Sequence, residues 1–183
     1  MKENLREELI EKRLALAVHE QQKLSKQIVT RIQAHSLFNS SHTIAIYLPF
    51  KNEVDLSSLF RTNKTLLLPV VHEDFSMHFS KYKLGDEVKM NRFKIMEPRY
   101  NKNFPANQID LCLLPLVGFN RKGGRIGMGA GFYDRFFAIN HMMKTPTVLA
   151  GVAYDIQEDQ RIENDYWDIP LDYIFTNKEV IET

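Results

Sequence analysis

At 183 residues, 44% of them apolar, the chain is long enough for one domain with a single core, expected over 1–183. A formal charge of +1 excludes affinity built on broad phosphate neutralisation, so no nucleic-acid partner is expected. The lone Cys112 excludes an intrachain disulfide, no run reaches a membrane span, and Met1-Lys2-Glu3-Asn4 lacks a signal-peptide core, so no membrane and a reducing cytosol are expected.

The first forty residues read as two helices. Leu5, Leu9 and Leu16, with Ile10 and Ala17, make one apolar face; Leu24, Ile28 and Ile32 repeat at spacing four in the next. The period then changes. Thr43 to Leu48 reads as a buried strand closed by Pro49, Leu56 to Phe60 as a short helix, and Thr65 to Leu68 as a strand stopped by Pro69. Met77 to Tyr82 alternates as an edge strand or hairpin does. From Lys83 to Gln108 no long period survives, apart from an extended Phe93–Pro98, and an excursion of that length in a domain this size is more often functional than idle. Ile109 to Leu114 is a strand, Phe132 to Asn140 a helix, and Thr147 to Ala153 and Leu171 to Phe175 are two further strands. Apolar strands alternating with helices predict an α/β fold of three layers: a mostly parallel sheet, helices on both faces, and an N-terminal helical pair. Ligands in such sheets bind beyond the carboxyl ends of the strands, where Tyr47–Glu53, the segment after Val117 and Ala153–Gln157 all fall.

Six of the eight glycines lie between Gly118 and Gly131, directly after an apolar strand and before a helix. That order aims free N–H groups at an anion. Gly127, Gly129 and Gly131 do not follow a dinucleotide fingerprint, and the Gly-Lys-Ser/Thr end of a Walker loop is absent; a phosphate cradle and a flexible turn both fit the spacing. Arg125 and Arg135 bracket the loop, with forked donors suited either to phosphate or to a surface carboxylate. Asp134, in the first turn of the helix, either complements its dipole or contacts magnesium. Asp168, before Pro170, is a turn residue or a second metal contact. Lys2 and Arg6 share a helix face at the end where the dipole disfavours cations, which suits a solvated surface or a docked anion. Glu53 is a loop acid or an acceptor for a polar heterocycle. Tyr47, Phe50, Phe119, Phe132 and Tyr133 are core candidates, some able to line a flat-ligand pocket. The six histidines have no ligand spacing, so zinc is not expected, and Cys112, inside an apolar run, is not expected to act as a nucleophile.

The segments Pro115-Leu116-Val117-Gly118-Phe119-Asn120 and Gly124-Arg125-Ile126-Gly127-Met128-Gly129-Ala130-Gly131-Phe132-Tyr133-Asp134-Arg135 resemble the signature of the 5-formyltetrahydrofolate cyclo-ligases. Weaker matches fall in the same order along the chain: Lys2 with Leu5-Arg6, Glu53-Val54, Glu97-Pro98, Tyr154 with Gln157, and Trp167 to Leu171. The resemblance implies a cytosolic, monomeric enzyme that converts 5-formyltetrahydrofolate and ATP, with Mg2+, into 5,10-methenyltetrahydrofolate, ADP and phosphate. It implies that Lys2, Arg6 and the segment Arg125, Ile126, Gly127, Met128, Gly129, Ala130, Gly131, Phe132 and Tyr133 contact ATP. Leu48, Glu53, Met128 and Phe132 would border the folate, Asp134 and Asp168 would hold magnesium, and Arg125 and Tyr133 would carry catalysis. Met128 and Ala130 depart from the commonest pattern, and Ala130 places a methyl where a left-handed backbone is expected, at about 1 kcal/mol. In the implied chemistry the formyl oxygen attacks the γ-phosphorus, ADP leaves, N10 closes the ring, and phosphate departs with the oxygen. Such a reaction asks the protein for alignment and charge neutralisation, not a covalent nucleophile. The alternatives are a sugar-phosphate isomerase or kinase, which would not need Lys2, Arg6 and Asp168 together, and a non-catalytic folate- or nucleotide-binding module with a decayed site, against which the intact Arg125, Asp134 and Asp168 argue.

Overall fold

Strand runs such as Ile44-Ala45-Ile46 and Leu66-Leu67-Leu68 are apolar at every position, which suits strands buried on both faces. The computed structural model describes residues 2–99, 102–142 and 147–183; Met1, and residues 100 and 101 of the irregular excursion, lie outside them. Three helices open the chain, α1 (Lys2–Leu14), α2 (Val18–Ala34) and the short α3 (Ser36–Ser40), where two were expected. The sheet strands follow: β1 (Thr43–Ala45), β2 (Thr65–Val71) and β3 (Met77–Lys81). A hairpin of β4 (Val88–Met90) and β5 (Met96–Pro98) comes next, then β6 (Leu111–Pro115) and a ribbon of β7 (Gly118–Phe119) and β8 (Arg125–Ile126). Helix α4 (Phe132–Met142), β9 (Val148–Val152), β10 (Tyr173–Phe175) and β11 (Val180–Glu182) complete the chain. Among the described residues no helix is long and apolar enough to cross a membrane.

The sheet order is β11-β10-β9-β6-β1-β2-β3. The five central strands run parallel and both edges, β11 and β3, are antiparallel. Successive residues of one strand enter opposite layers. Ile44, Ile46, Leu66, Leu68, Leu111 and Leu113 pack with Ile28, Val29 and Ile32 of α2 and Phe38 of α3. Ala45, Leu67, Cys112, Leu114 and Ile174 pack with Phe137 of α4 on the other face. The expected three layers are therefore present, and each fully buried Leu or Ile contributes about 1.5–3 kcal/mol. Helix α1 caps a third cluster with Val117, Ile126 and Ile162, over the carboxyl ends of the strands.

Several local expectations change. The apolar face of α1 continues from Leu5 and Leu9 to a buried Arg13, while Leu16 and Ala17 fall in the link to α2. The helix expected over Leu56–Phe60 is a 3-10 turn, Ser57–Arg61. Pro69 does not stop β2; it lies beyond Leu67, the last residue paired to β1, so its missing N–H leaves no ladder bond unmade on that side. The excursion contains the β4–β5 hairpin, with Met90 facing Met96, and β11 adds a strand that the periodicity did not reveal. Because β2 and β6 flank β1, the chain reverses its winding there, and the crevice beyond the ends of β1 and β6 is where such sheets bind ligands.

Candidate active site

The glycine-rich stretch divides in two. Its first part is the β7–β8 ribbon, whose turn is closed by the Asn120 side chain, Oδ1 accepting from the N–H groups of Lys122 and Gly124 at 2.9 Å each. Only the second part, Gly127 to Gly131, is an open turn leading into α4. Gly129 (φ +95°) and Gly131 (φ +65°) hold the left-handed backbone that favours glycine. Ala130 does not, so the strain expected of its methyl is absent: the positive angles fall on its neighbours.

This turn walls two adjoining cavities. One, of about 490 Å3, opens beyond β1 and β6 and is lined by Tyr47, Leu48, Phe50, Glu53, Phe132 and Tyr133, with Met128 and Ala130 on the turn side. The tip of the β4–β5 hairpin closes it, Phe93 meeting the Phe132 ring at 5.3 Å between centroids, and Phe75, from the turn between β2 and β3, stacks on Phe132 at 6.2 Å. The second, of about 400 Å3, is lined by Lys2, Arg6, Gly129, Arg135, Asp165 and Asp168. Arg125, Gly127, Gly131 and Asp134 line both.

The cationic cavity is held by pairs between distant parts of the chain. Lys2 Nζ donates to Asp165 Oδ2 at 2.6 Å and to Asp168 Oδ2 at 3.0 Å, and the Asp165 N–H donates to Asp168 Oδ2 at 2.9 Å. Burial opposes the charge on Lys2, but its two carboxylate partners raise its pKa overall. Arg6 Nε donates to the Gly127 carbonyl at 2.9 Å, tying α1 to the turn. Arg125, 7% exposed, donates to Asp134 Oδ1 and to the Ile169 carbonyl. Among the described residues Arg135 takes no surface carboxylate: it donates to the carbonyls of Ala130 and Phe75, and its guanidinium lies 5.9 Å from the centre of the Phe132 ring. Ile126 packs in the cluster under α1, so only its backbone is left for a ligand. Met128, Ala130, Phe132 and Tyr133, expected at ATP, line the aromatic cavity and not the cationic one.

Glu53 is not an exposed loop acid. Its side chain is 8% exposed, Oε2 accepts from the Phe50 N–H at 3.0 Å, and burial raises its pKa from the usual 4.5 to about 7 despite the Arg13 guanidinium nearby. Burial also raises the Tyr133 phenol well above 10, so it stays a donor at neutral pH. Phe119 is core, and Cys112 is buried in the α4-side layer, where burial pushes its thiol up and away from the nucleophilic thiolate form. Ala153–Gln157 reaches the same sheet edge as support: Gln157 Nε2 donates to the carbonyls of Leu116 and Val117 at 2.8 and 3.0 Å.

Sequence reasoning missed Asp165, which nothing in its local pattern separates from a surface acid. It also missed Arg92 and Phe93 at the hairpin tip, although the unexplained length of the excursion pointed there. Arg13 had a signal, since it follows Leu5 and Leu9 at spacing four.

Two cavities of different chemistry, sharing one glycine wall at the switch point of a doubly wound sheet, are the plan of a two-ligand α/β enzyme. Comparison with known proteins gives the particular group. The chain belongs to the 5-formyltetrahydrofolate cyclo-ligase family, which it matches over residues 1–177. It is 36% identical over 181 residues to the 5-formyltetrahydrofolate cyclo-ligase of Escherichia coli K12, covering 94% of this chain and 98% of that one. It is similar to the solved 5,10-methenyltetrahydrofolate synthetase of Aquifex aeolicus, with a TM-score of 0.85, 32% identity, and 99% and 92% of the two chains covered. The corresponding synthetase of Mycoplasma pneumoniae gives a TM-score of 0.77 at 29% identity, covering 95% and 97%.

Proposed function

We propose that this chain closes 5-formyltetrahydrofolate to 5,10-methenyltetrahydrofolate at the expense of ATP, with the folate in the aromatic cavity and ATP in the cationic one. The observation that carries the reading is the common wall: Arg125, Gly127, Gly131 and Asp134 border both cavities, so the formyl oxygen and the γ-phosphorus can meet across it. The formyl oxygen forms its bond to phosphorus as the bond to ADP breaks. N10 then adds to the formyl carbon and gives up its proton to water or to the phosphate, which leaves with the oxygen and its bonding pair.

Each side chain has a task in that sequence. Lys2, Arg6 and Arg125 neutralise the triphosphate, and the backbone of the Gly127–Gly131 turn approaches it closely. Leu48, Phe132 and Met128 sandwich the flat ring system, and Glu53 accepts from its N–H edge. The Tyr133 phenol positions the formyl group. Lys51, Arg92 and Lys94 also line the aromatic cavity, and no carboxylate pairs with Lys51 or Lys94 among the described residues, which suits the carboxylates of a folate glutamate tail.

Asp134, Asp165 and Asp168 supply hard oxygen donors to the ATP cavity. Mg2+ takes one or two carboxylates and completes its shell with water and phosphate, and no group of three His, Cys, Asp or Glu able to hold a metal exists among the described residues. That donor set suits a metal held jointly with a triphosphate, through Asp134 and Asp168. Bound there, Mg2+ would offset the charge of the transferring group. Lys2 and Arg125 now occupy those two carboxylates; on nucleotide binding they exchange them for phosphate oxygens and free both acids. A cytosolic monomer acting as one domain is part of the same reading, in accord with a free, buried cysteine.

The test is absorbance of the methenyl product, with ADP measured in parallel, after mixing protein, 5-formyltetrahydrofolate, ATP and Mg2+. Product and ADP in equal amounts are expected. Neither species forming would overturn the reading.

A further inference from the structure

Arg13 stands outside the machinery described so far, yet it is among the largest fully buried side chains, at 1% exposure. Its Nη1 donates to the Leu116 carbonyl at 2.9 Å and lies 3.9 Å from Glu53 Oε1. Its Nε and Nη2 have no hydrogen-bond partner among the described residues. Taking a guanidinium out of water costs several kcal/mol unless an opposite charge and further hydrogen bonds offset it. A position whose only task is to pack, continuing Leu5 and Leu9, is better filled by leucine. Both groups it touches, Leu116 and Glu53, line the aromatic cavity.

We infer that Arg13 is a positioning residue for folate recognition, its buried guanidinium holding the Glu53 carboxylate at the cavity wall as the acceptor of the pterin N–H groups. This rests on the folate reading of the cavity. The pterin edge presents neighbouring N–H donors, and an ionised carboxylate accepts two of them in a fork, whereas a protonated one brings a donor against a donor. Among the described residues Glu53 Oε2 takes only the Phe50 N–H, which leaves acceptor sites on both oxygens for a ligand.

Four groups act electrostatically on or with Glu53. Arg13 comes from α1, Tyr47 from the segment after β1, Tyr133 from α4, and Tyr154 from the segment after β9. Burial raises all three phenols, so they are neutral near pH 7. The positive charge that faces Glu53 is therefore Arg13. Without it, only the Phe50 N–H opposes burial, and the carboxyl titrates at higher pH.

The experiment measures Kd for 5-formyltetrahydrofolate calorimetrically from about pH 6 to 9, alongside the carboxyl titration of Glu53 by carbon NMR, in wild type, Arg13→Met, Arg13→Lys and Glu53→Gln. Wild type is expected to bind more weakly below about pH 7. Arg13→Met is expected to move both the titration and the binding limb upward, and a shift of one unit weakens binding about threefold near pH 7.5. Arg13→Lys keeps the charge and restores most of the wild-type profile, Glu53→Gln has no limb, and ATP affinity is unchanged throughout. If Arg13→Met does not fold, the comparison passes to Arg13→Lys against Arg13→Gln, isolated with folate present. A Glu53 titration and binding limb indifferent to the charge at position 13 overturns the inference. Wild type failing to bind the folate at any pH overturns the folate reading instead.

Discussion

Two alanine substitutions, two residues apart, separate what the glycine turn does for the fold from what it does for the ligand. Gly129 sits at φ +95°, and a Cβ there would lie 3.6 Å from the Arg6 guanidinium carbon, an ordinary contact. The cost of Gly129→Ala is then conformational, about 1–2 kcal/mol for an L-residue in the left-handed region. At this chain length that lowers Tm by about 2–8 °C. Gly127 is different: its φ is outside that region and a Cβ meets nothing within 4 Å. Gly127→Ala is expected to leave Tm unchanged or to raise it by about 1–4 °C, because the unfolded chain loses freedom. The same methyl would stand where the backbone approaches the triphosphate. Loss of one charge-assisted hydrogen bond, about 1.5–3 kcal/mol, raises KM for ATP at least tenfold. Thermal melting and steady-state kinetics on both variants make the measurement. A Gly127→Ala protein with wild-type KM for ATP would refute the view that this turn grips phosphate.

Other expectations concern single groups. Glu53 titrates at about 7 in the fold against a usual 4.5, so the folded state takes up a proton that the unfolded state releases. Wild-type stability therefore falls as pH rises between those values and is level above them. Glu53→Gln removes that slope, and its Tm relative to wild type should climb across the same window; a constant difference would contradict the raised value. Asp168→Ala should lose turnover and keep its fold, since its partner Lys2 is 35% exposed and the pair contributes under about 1 kcal/mol. Chelation should stop the wild-type reaction and added Mg2+ restore it, while wild-type activity in Asp168→Ala would remove that acid from the metal shell. Replacing Lys51 and Lys94 together by alanine should raise KM for folate several-fold, and more so for substrates with longer glutamate tails, with KM for ATP unmoved. Equal effects on mono- and polyglutamates would place the tail elsewhere.

Much of the architecture was legible because it depends on local periodicity. Ile28 and Ile32 at spacing four marked the buried face of α2, and the alternating layers of Ile44-Ala45-Ile46 followed from one apolar run. Boundaries were less legible. Pro69 looks like a terminator in sequence, yet it lies within β2 because β1 ends before reaching it. The hairpin in the excursion is held partly by Asn91, whose Oδ1 accepts from the N–H groups of Phe93 and Ile95 at 2.9 and 3.1 Å, a side-chain turn with no hydrophobic period to announce it.

The sequence by itself determined the α/β class, the strand–glycine–helix order, and the residue types a phosphate and a flat heterocycle require. Only the tertiary structure decided that Gly127–Gly131, and not the whole glycine-rich stretch, forms the turn between the two cavities. It also brought Lys2 to Asp165, 163 positions away, and buried Arg13 beside Glu53. The reason is physical. A period of 2.0 or 3.6 records which face of one element is buried, whereas a pairing between distant charges depends on the path of the chain around the sheet, which no local pattern carries.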